Sequence, residues 1–265
     1  MTDTKVYILD GGTLVIDGYH VFWNRGPGGE VRFPTYSVLI EHEDGRYIFD
    51  TGYDYDHVQK VLPFEKPLQT SEQTIPGQLA KINLKPSDIN YVINSHYHFD
   101  HCGGNKHLTS ACTICHEKEL QVCACPQPFE MLGYSDLTFS SNIAKERAEK
   151  FNTALNPELD IYTPKFETVT GDQEIAKGIW LFETPGHTVG SSSYTMTVRE
   201  AGRDYAVVIA NMGSINEGKR LVVEPTYPGV AEDFAETFRR QKLLPVDVWV
   251  ASHGSQYGLH DKYKP

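Results

Sequence analysis

Long apolar runs are missing from this sequence, and their absence narrows the class of protein. No window approaches the roughly 18 consecutive apolar residues that a membrane-spanning helix needs. The amino-terminal segment also lacks the basic stretch and the long apolar stretch of a secretory signal. We therefore expect no membrane span and no secretory signal, and we predict a cytoplasmic protein.

Basic clusters are equally scarce. The 265 residues include 24 Lys and Arg against 35 Asp and Glu, which gives a formal net charge of −11. No run of Lys or Arg stands out, so we expect no nucleic-acid partner. The acidic balance favours solubility and indicates little else.

Cysteines are few and confined to one part of the chain, at positions Cys102, Cys112, Cys115, Cys123 and Cys125. An odd number in one stretch does not fit a secreted disulfide framework. The pairs Cys112-x-x-Cys115 and Cys123-x-Cys125 could form a thiolate metal site. The simpler interpretation is a set of free thiols, some of them buried.

Strand and helix patterns alternate along the chain. They predict strands at 4–9, 14–16, 36–42, 47–50, 91–94, 177–184, 193–198, 204–210 and 246–253, and helices at 74–82, 117–122, 142–155 and 231–241. Residues 123–160 have little strand pattern and are interpreted as a covering insertion. With no long linker or repeat, we predict one α/β domain over residues 1–265, built as an αββα sandwich.

The densest cluster of titratable residues is S-H-Y-H-F-D-H-C-G-G, at residues 95–104, directly after a predicted strand. In an extended segment, His96 and His98 point the same way. Asp100, two residues further on, would point the same way, and His101 would turn away. The two histidines can chelate one metal ion, and Asp100 with His101 can supply a carboxylate and an imidazole to a second.

Two further histidines, His187 in T-P-G-H-T-V-G and His253 in A-S-H-G-S, follow predicted strands. The predicted ligand sets are His96, His98 and His187 for one ion and Asp100, His101 and His253 for the other. These donors suit two Zn²⁺ ions, with Fe or Mn as alternatives. The remaining histidines are expected to be surface or capping residues: His20, His42, His57, His107, His116 and His260.

Four motifs occur in the order found in one enzyme superfamily. They are D-T-G (50–52), the H-x-H-x-D-H string, P-G-H-T-x-G (185–190) and the strand-end His253. Together they resemble the metallo-β-lactamase superfamily. The resemblance implies an αββα sandwich with two metals at one edge of the two sheets. It also implies attack of a metal-bound hydroxide on a carbonyl group, with Asp100 and His101 as catalytic residues.

Two branches of the superfamily are represented. Residues 1 to about 137 resemble lactonases of the 4-pyridoxolactonase and N-acyl homoserine lactonase type, and residues from about 184 resemble subclass B3 metallo-β-lactamases. Such lactonases place a bridging aspartate where this chain has Met212, beside Asn211. A thioether cannot replace a bridging carboxylate toward these cations, so we expect a looser second site.

The favoured hypothesis is a zinc-dependent lactonase that opens a small cyclic ester, of the 4-pyridoxolactone or acyl-homoserine lactone type. The resemblance implies that Trp23, Phe33 and Tyr53 line the pocket and stack on a flat ring. Arg25 would then meet a substrate carboxylate.

Two alternatives remain open. One is a B3-like enzyme that hydrolyses β-lactam antibiotics, with Ser214 or Ser255 holding the carboxylate of the drug. The other is a folded metal-binding protein without efficient turnover, because a ligand shell that is too loose does not catalyse.

Overall fold

The computed structural model describes residues 4–21, 28–124, 165–211, 214–216 and 218–262. Outside these ranges lie the helix predicted at 142–155, nearly all of the insertion predicted at 123–160, and Trp23, Arg25, Cys125 and Met212. The single domain over residues 1–265 stays a prediction.

Two sheets contain the described strands. The larger sheet holds β1 (Lys5–Asp17), β2 (Glu30–His42), β3 (Gly45–Phe49), β4 (Pro67–Leu68), β5 (Tyr91–Ile93), β6 (Cys112–His116) and β7 (Lys165–Val169), in the order β4-β1-β2-β3-β5-β6-β7. The smaller sheet holds β8 (Gln173–Ala176), β9 (Ile179–Glu183), β10 (Ser192–Glu200), β11 (Arg203–Ala210) and β12 (Val248–Ala251), in the order β12-β11-β10-β9-β8. Both sheets are mixed: the β3-β5-β6-β7 run and the β11-β12 pair are parallel, and the remaining pairs are antiparallel.

Most of the helices are short. They are α1 (Gly18–Val21), α2 (Tyr55–Val61), α3 (Ile75–Lys81), α4 (Phe99–Cys102), α5 (Glu117–Ala124), α6 (Val230–Gln241) and α7 (Leu259–Lys262). Single 3-10 turns occur at Pro63–Glu65, Ser71–Gln73, Pro86–Asp88, Gly103–His107 and Gly254–Gln256. None of the helices in the described ranges is long and apolar enough to cross a bilayer.

The main hydrophobic core lies between the two sheets. Side chains alternate along a strand, so Val38 and Ile40 of β2 face this core while Leu39 faces the opposite side. Leu181 and Ile209 contribute from the smaller sheet. Leu39 is buried as well, so β2 is covered on both faces, which explains its continuous apolar sequence.

Helices cover the outer faces. Ile75 and Leu79 of α3 pack with Leu39 on the outer side of the larger sheet. The buried residues of α6 are Val230, Phe234, Thr237 and Gln241, which share one helix face. Gln241 donates to the carbonyl of Asn211 at the end of β11, so α6 lies against the smaller sheet. The predicted αββα sandwich is confirmed.

The strand predictions differ from the structure in two places. Segments 4–9 and 14–16 belong to one strand, β1, whose register shifts between Asp10 and Thr13. Gly12, with φ of 90°, adopts the left-handed conformation that this bulge needs. The short strands β4, β6, β7 and β8 were not predicted. β6 lies between β5 and β7, where the buried Cys115 behaves as a small apolar residue.

The described cysteines support the simpler interpretation. Cys102, Cys112, Cys115 and Cys123 are free thiols, and three of them are buried. No cysteine belongs to a potential metal-binding group in the part of the chain that the structure describes. A cytoplasmic location stays a prediction.

Candidate metal centre

Four strand ends bring polar side chains to one edge of the sandwich. In the larger sheet, β3 and β5 run parallel and are followed by Asp50 and by residues 94–98. In the smaller sheet, β9 and β12 point the same way and are followed by residues 184–190 and by His253. Strands that run in one direction end at the same edge, so these segments meet there. The N–H of Ser192 donates to the carbonyl of Ser95 at 2.9 Å and links the two sheets.

His96, His98 and His187 form the first group. Nε2 of His96 lies 3.2 Å from Nδ1 of His98, and Nε2 of His187 lies 3.2 Å from that same atom. All three side chains are buried. Three nitrogen atoms therefore converge on one point, in an arrangement that could hold a metal ion.

The outer nitrogens of two of these rings show where their protons are. Nδ1 of His187 lies 2.8 Å from the carbonyl oxygen of Ser214, so it must donate. The Ser95 hydroxyl donates to the Asp50 carboxylate at 2.8 Å, so it accepts from Nδ1 of His96 at 3.0 Å. Both rings then carry the proton on Nδ1 and present a lone pair on Nε2; for His96 this requires the Asn211 amide, whose Nδ2 lies 3.3 Å from Nδ1, to turn its oxygen toward the ring.

The two Nε2 lone pairs face Nδ1 of His98, which has at most one proton to donate. At least one pair of nitrogens at 3.2 Å therefore lacks a shared proton. A cation bound between the three rings would remove this repulsion, so the donor chemistry of the first group fits a metal ion.

Asp100, His101 and His253 form the second group. Oδ2 of Asp100 lies 3.5 Å from Nε2 of His101 and 3.8 Å from Nδ1 of His253. Nε2 of His101 is buried and has no hydrogen-bond partner among the described residues. Because a buried polar atom is costly without a partner, this nitrogen also fits a metal ligand.

Asp50 connects the two groups from behind. Its Oδ2 lies 2.8 Å from Nδ1 of His101 and accepts from the Ser95 hydroxyl, and its Oδ1 accepts from the Ser95 N–H at 2.8 Å. Asp50 thus orients His101 directly and His96 through Ser95. Its backbone has φ of 48°, a strained conformation that is common beside functional sites. The D-T-G motif marked this position, but sequence reasoning gave Asp50 no role.

The Gly-Gly pair after the histidine string allows two backbones to meet. A Cβ on Gly103 would lie 2.3 Å from the backbone nitrogen of Asp54. A Cβ on Gly104 would lie 2.5 Å from the carbonyl oxygen of Thr51. Only glycine permits this approach, which presses the helix that carries Asp100 against the D-T-G segment.

The segment around His187 is held by its carbonyl groups. Nζ of Lys219 donates to the carbonyls of Gly186 at 3.2 Å and of His187 at 2.5 Å. The hydroxyl of Thr237 on α6 donates to the carbonyl of Pro185 at 2.7 Å. These bonds fix the His187 backbone before any ligand binds.

Burial determines the protonation of the first group. It lowers the pKa of His96 and His98 well below the usual value, and it lowers the pKa of His187 to about 3. The three imidazoles are therefore neutral at pH 7, which is the form that binds metals.

The second group is governed by its charges. Burial lowers the pKa of His101, but Asp100 and Asp50 outweigh it and the net shift is upward. Burial raises the pKa of Asp100, but His101 and His253 outweigh it and the net shift is downward. Burial lowers the pKa of His253 to about 4. The second group therefore contains an ionised carboxylate, which the first lacks.

The parity argument for the histidine string is wrong in one respect. It predicted that Asp100 points the same way as His96 and His98 and that His101 turns away. The extended segment ends at His98 and α4 begins at Phe99, so Asp100 lies with His101. The division of the six residues into two groups is as predicted.

Two of the predicted substrate residues have different surroundings. The ring of Phe33 meets the ring of His253 edge-on, with centroids 6.0 Å apart, so Phe33 lies beside the second group. Tyr53 is buried, packs with Phe99, and donates from its hydroxyl to the carbonyl of Thr13 at 3.3 Å. This placement favours a packing role for Tyr53.

The two predicted serines are both exposed. Ser214 accepts from His187 through its carbonyl, and its hydroxyl lies 3.1 Å from Oδ1 of Asn216. Ser255 lies in the 3-10 turn that follows His253. Trp23 and Arg25 lie outside the described residues.

His116 takes one of the two expected roles, because it caps the start of α5 but does not lie at the surface. It is buried, and its Nε2 lies 2.5 Å from a carboxylate oxygen of Glu183. Its Nδ1 accepts from the N–H of Lys118, so Nε2 carries the proton. The only sequence feature that could have indicated its burial is its position at the end of a short apolar run.

A family model described as the metallo-beta-lactamase superfamily matches residues 31–253. The chain belongs to the metallo-beta-lactamase superfamily. Within this superfamily, the chain is similar to an N-acyl homoserine lactonase from Bacillus cereus, with 28% identity over 210 residues that cover 76% of this chain and 74% of the relative.

Solved structures of the superfamily share the fold. One is an N-acyl homoserine lactone hydrolase with the product N-hexanoyl-L-homoserine bound at its catalytic metal center. It has a TM-score of 0.68 and 24% identity, and the match covers 98% of this chain and 97% of that chain. A subclass B3 metallo-beta-lactamase of Bradyrhizobium japonicum has a TM-score of 0.59 and 22% identity, and the match covers 86% of this chain and 75% of that chain.

The lactonase similarity covers more of the chain than the predicted lactonase half. The Bacillus cereus lactonase matches 76% of this chain, so the lactonase similarity extends well beyond residue 137. The subclass B3 structure is more distant from this chain than the lactone hydrolase structure is.

Proposed function

We propose that this member of the metallo-beta-lactamase superfamily is a metal-dependent hydrolase that opens a small cyclic ester. The observation that carries the proposal is the convergence of the first and second groups at one edge of the fold. The choice of a lactone is supported by the Bacillus cereus relative, which is an N-acyl homoserine lactonase.

In this proposal, each group holds one metal ion. Imidazole and carboxylate donors suit Zn²⁺, with Fe and Mn as alternatives. When bound, the two ions lower the pKa of a water molecule and polarise the carbonyl group of the substrate.

The residues of the second group would orient the attacking water. The Asp100 carboxylate is ionised at neutral pH, because His101 and His253 lower its pKa, so it can accept a hydrogen bond from that water. Asp50 holds Nδ1 of His101 and so keeps Nε2 directed at the same point. Asp100 and His101 are thus the proposed catalytic residues.

The substrate would enter from the side of His253, where Phe33 supplies an apolar wall. Trp23 is proposed to add a stacking surface, and Arg25 to pair with a substrate carboxylate. Ser214 and Ser255 are exposed near the two groups and are further candidates for contact with substrate.

Ring opening of two lactones by metal-loaded protein tests the proposal. We expect 4-pyridoxolactone or N-hexanoyl homoserine lactone to be opened, with one acid released per ring, as a pH-stat measures. A chelator should abolish the activity and added Zn²⁺ should restore it. Two bound ions without opening of any lactone in a wider panel would contradict the proposal.

A B3-like β-lactamase is the second candidate. Six ligand residues converge without the bridging aspartate expected of lactonases, and a subclass B3 enzyme shares the fold. Nitrocefin hydrolysis that stops on chelation, at a kcat/KM above that for both lactones, would favour this candidate. Two bound ions with neither activity would favour a metal-binding protein without turnover.

A further inference from the structure

One buried carboxylate, which belongs to neither group, contacts both chain segments that carry the histidines of the first group. Glu119 of α5 has an exposed fraction of 0%. Its Oε2 accepts from the backbone N–H of Tyr97 at 3.0 Å, and its Oε1 accepts from the N–H of Gly190 at 2.8 Å. Each oxygen of Glu119 therefore holds a different segment of the chain.

These two segments carry the three histidines of the first group. Tyr97 lies between His96 and His98, in the connection that follows β5 of the larger sheet. Gly190 lies three residues after His187, in the connection between β9 and β10 of the smaller sheet. Glu119 thus links the histidines of one sheet to the histidine of the other.

The contact at Gly190 is tight. A Cβ on Gly190 would lie 2.9 Å from the backbone nitrogen of Glu119, 3.1 Å from its Cγ and 3.0 Å from Nδ1 of His116. No side chain fits this space without a shift, so α5 and the His187 segment are held in close register.

A carboxylate suits both contacts because it offers two acceptor oxygens and no donor. An amide in the same place would turn its NH₂ group toward one of the two backbone N–H groups. Lys219 and Thr237, by comparison, donate to carbonyls of the His187 segment.

From this geometry we infer that Glu119 is a positioning residue for the first group. It sets the separation between His98 and His187 and thereby the affinity for the first metal ion. The inference rests on the metal binding proposed above, and it does not depend on the identity of the substrate. Mutation of a residue that orients metal ligands in this way commonly weakens metal affinity by about 10- to 100-fold.

The test compares Glu119→Gln with Glu117→Gln, a matched change at an exposed position of the same helix. After dialysis against a weak chelator, wild-type protein and E117Q should retain both ions. E119Q should lose one, with at least tenfold weaker affinity for it. In cobalt-substituted protein, the visible bands of the three-imidazole site should disappear while those of the second site remain.

Two ions held by E119Q as tightly as by wild type would overturn the inference. No metal bound by wild type would instead refute the proposed function, so the two failures are distinguishable. Loss of cooperative melting by E119Q, both with and without metal, would indicate a general stabilising role and also overturn the inference. Gly190→Ala gives a second variant with unchanged charge, and it should lose the same ion while it still melts cooperatively.

Discussion

The first and second groups lie side by side but differ in composition and exposure. The first contains three imidazoles, of which His96 and His187 are 0% and 5% exposed. The second contains a carboxylate, and the side chains of Asp100 and His253 are 13% and 19% exposed. One group is neutral and enclosed, and the other is charged and partly exposed.

This difference assigns different tasks to the two sites. A dication among three neutral rings has no anion in its own ligand set and relies on carboxylates behind it, Asp50 and Glu119. A dication bound in the second group would meet Asp100 directly and, under the proposed function, would also face water and substrate. We expect the first ion to be retained by burial and the second to exchange faster and to face the reacting bond.

The largest effect is expected from His98→Ala, because Nδ1 of His98 lies 3.2 Å from both other nitrogens of the first group. The first ion should be lost, and kcat/KM for the best substrate should fall about a thousandfold, or ~4 kcal/mol of transition-state stabilisation. Metal analysis and steady-state kinetics measure both. His260→Ala, at an exposed position, is the control and should match wild type. If H98A retains two ions, the three histidines of the first group are not the ligands of the first ion.

A smaller and more selective effect is expected from Asp50→Asn. The amide would turn its NH₂ group toward His101, which would then carry its proton on Nε2, the atom that faces the second site. Affinity for the second ion should fall about 10- to 100-fold. His96 should be less affected because Ser95 stands between it and Asp50.

Calorimetric titration of metal into D50N measures the two affinities separately. Equal weakening of both sites would mean that Asp50 supports the whole edge of the sandwich rather than the second group. No weakening of either would show that another residue fixes the orientation of His101.

The metal-free protein should lose stability as the pH falls from 7 to 5. The ordinary pKa of 6.5 applies to His187 in the unfolded chain, and the folded value is about 3. The unfolded chain therefore binds protons first, and the folded state loses about 2 kcal/mol at pH 5 from this residue. His101 has the opposite sign, because its raised pKa favours the folded state at low pH.

Urea unfolding of chelator-treated protein at pH 7, 6 and 5 measures this loss. If this loss of stability comes from His187, the metal-free His187→Asn variant should be less sensitive to pH than wild type. Equal pH sensitivity of His187→Asn and wild type would contradict the assignment of this loss to His187.

The six converging residues were predictable because each follows an apolar strand and strand ends meet at a sheet edge. Alternation failed after His98 because the chain turns into α4, and four residues cannot distinguish a helix from an extended segment. The strands β6 and β7 were missed because their burial comes from neighbours that are distant in sequence.

The supporting carboxylates were beyond sequence reasoning for the same reason. Asp50 meets His101 across 51 positions, and Glu119 meets Gly190 across 71. No periodicity or spacing encodes such contacts, because they depend on how the two sheets are stacked. A ligand must appear at a strand end, whereas the residue that orients it can come from any neighbouring element.

The smallest effect, expected from Thr237→Val, separates the fold from the site. This change removes the hydrogen bond to Pro185, two residues before His187, while keeping the shape of the side chain. The free energy of unfolding should fall by about 1 kcal/mol, because a partly buried carbonyl loses its partner. Thr197→Val, exposed on β10, is the control and should change stability by less than about 0.5 kcal/mol.

Affinity for the first ion should stay within twofold of wild type, because Lys219 and Glu119 still hold the segment. A selective loss of that ion in T237V would mean that the Thr237 bond to the His187 segment controls metal affinity more than the Glu119 link between the two sheets does.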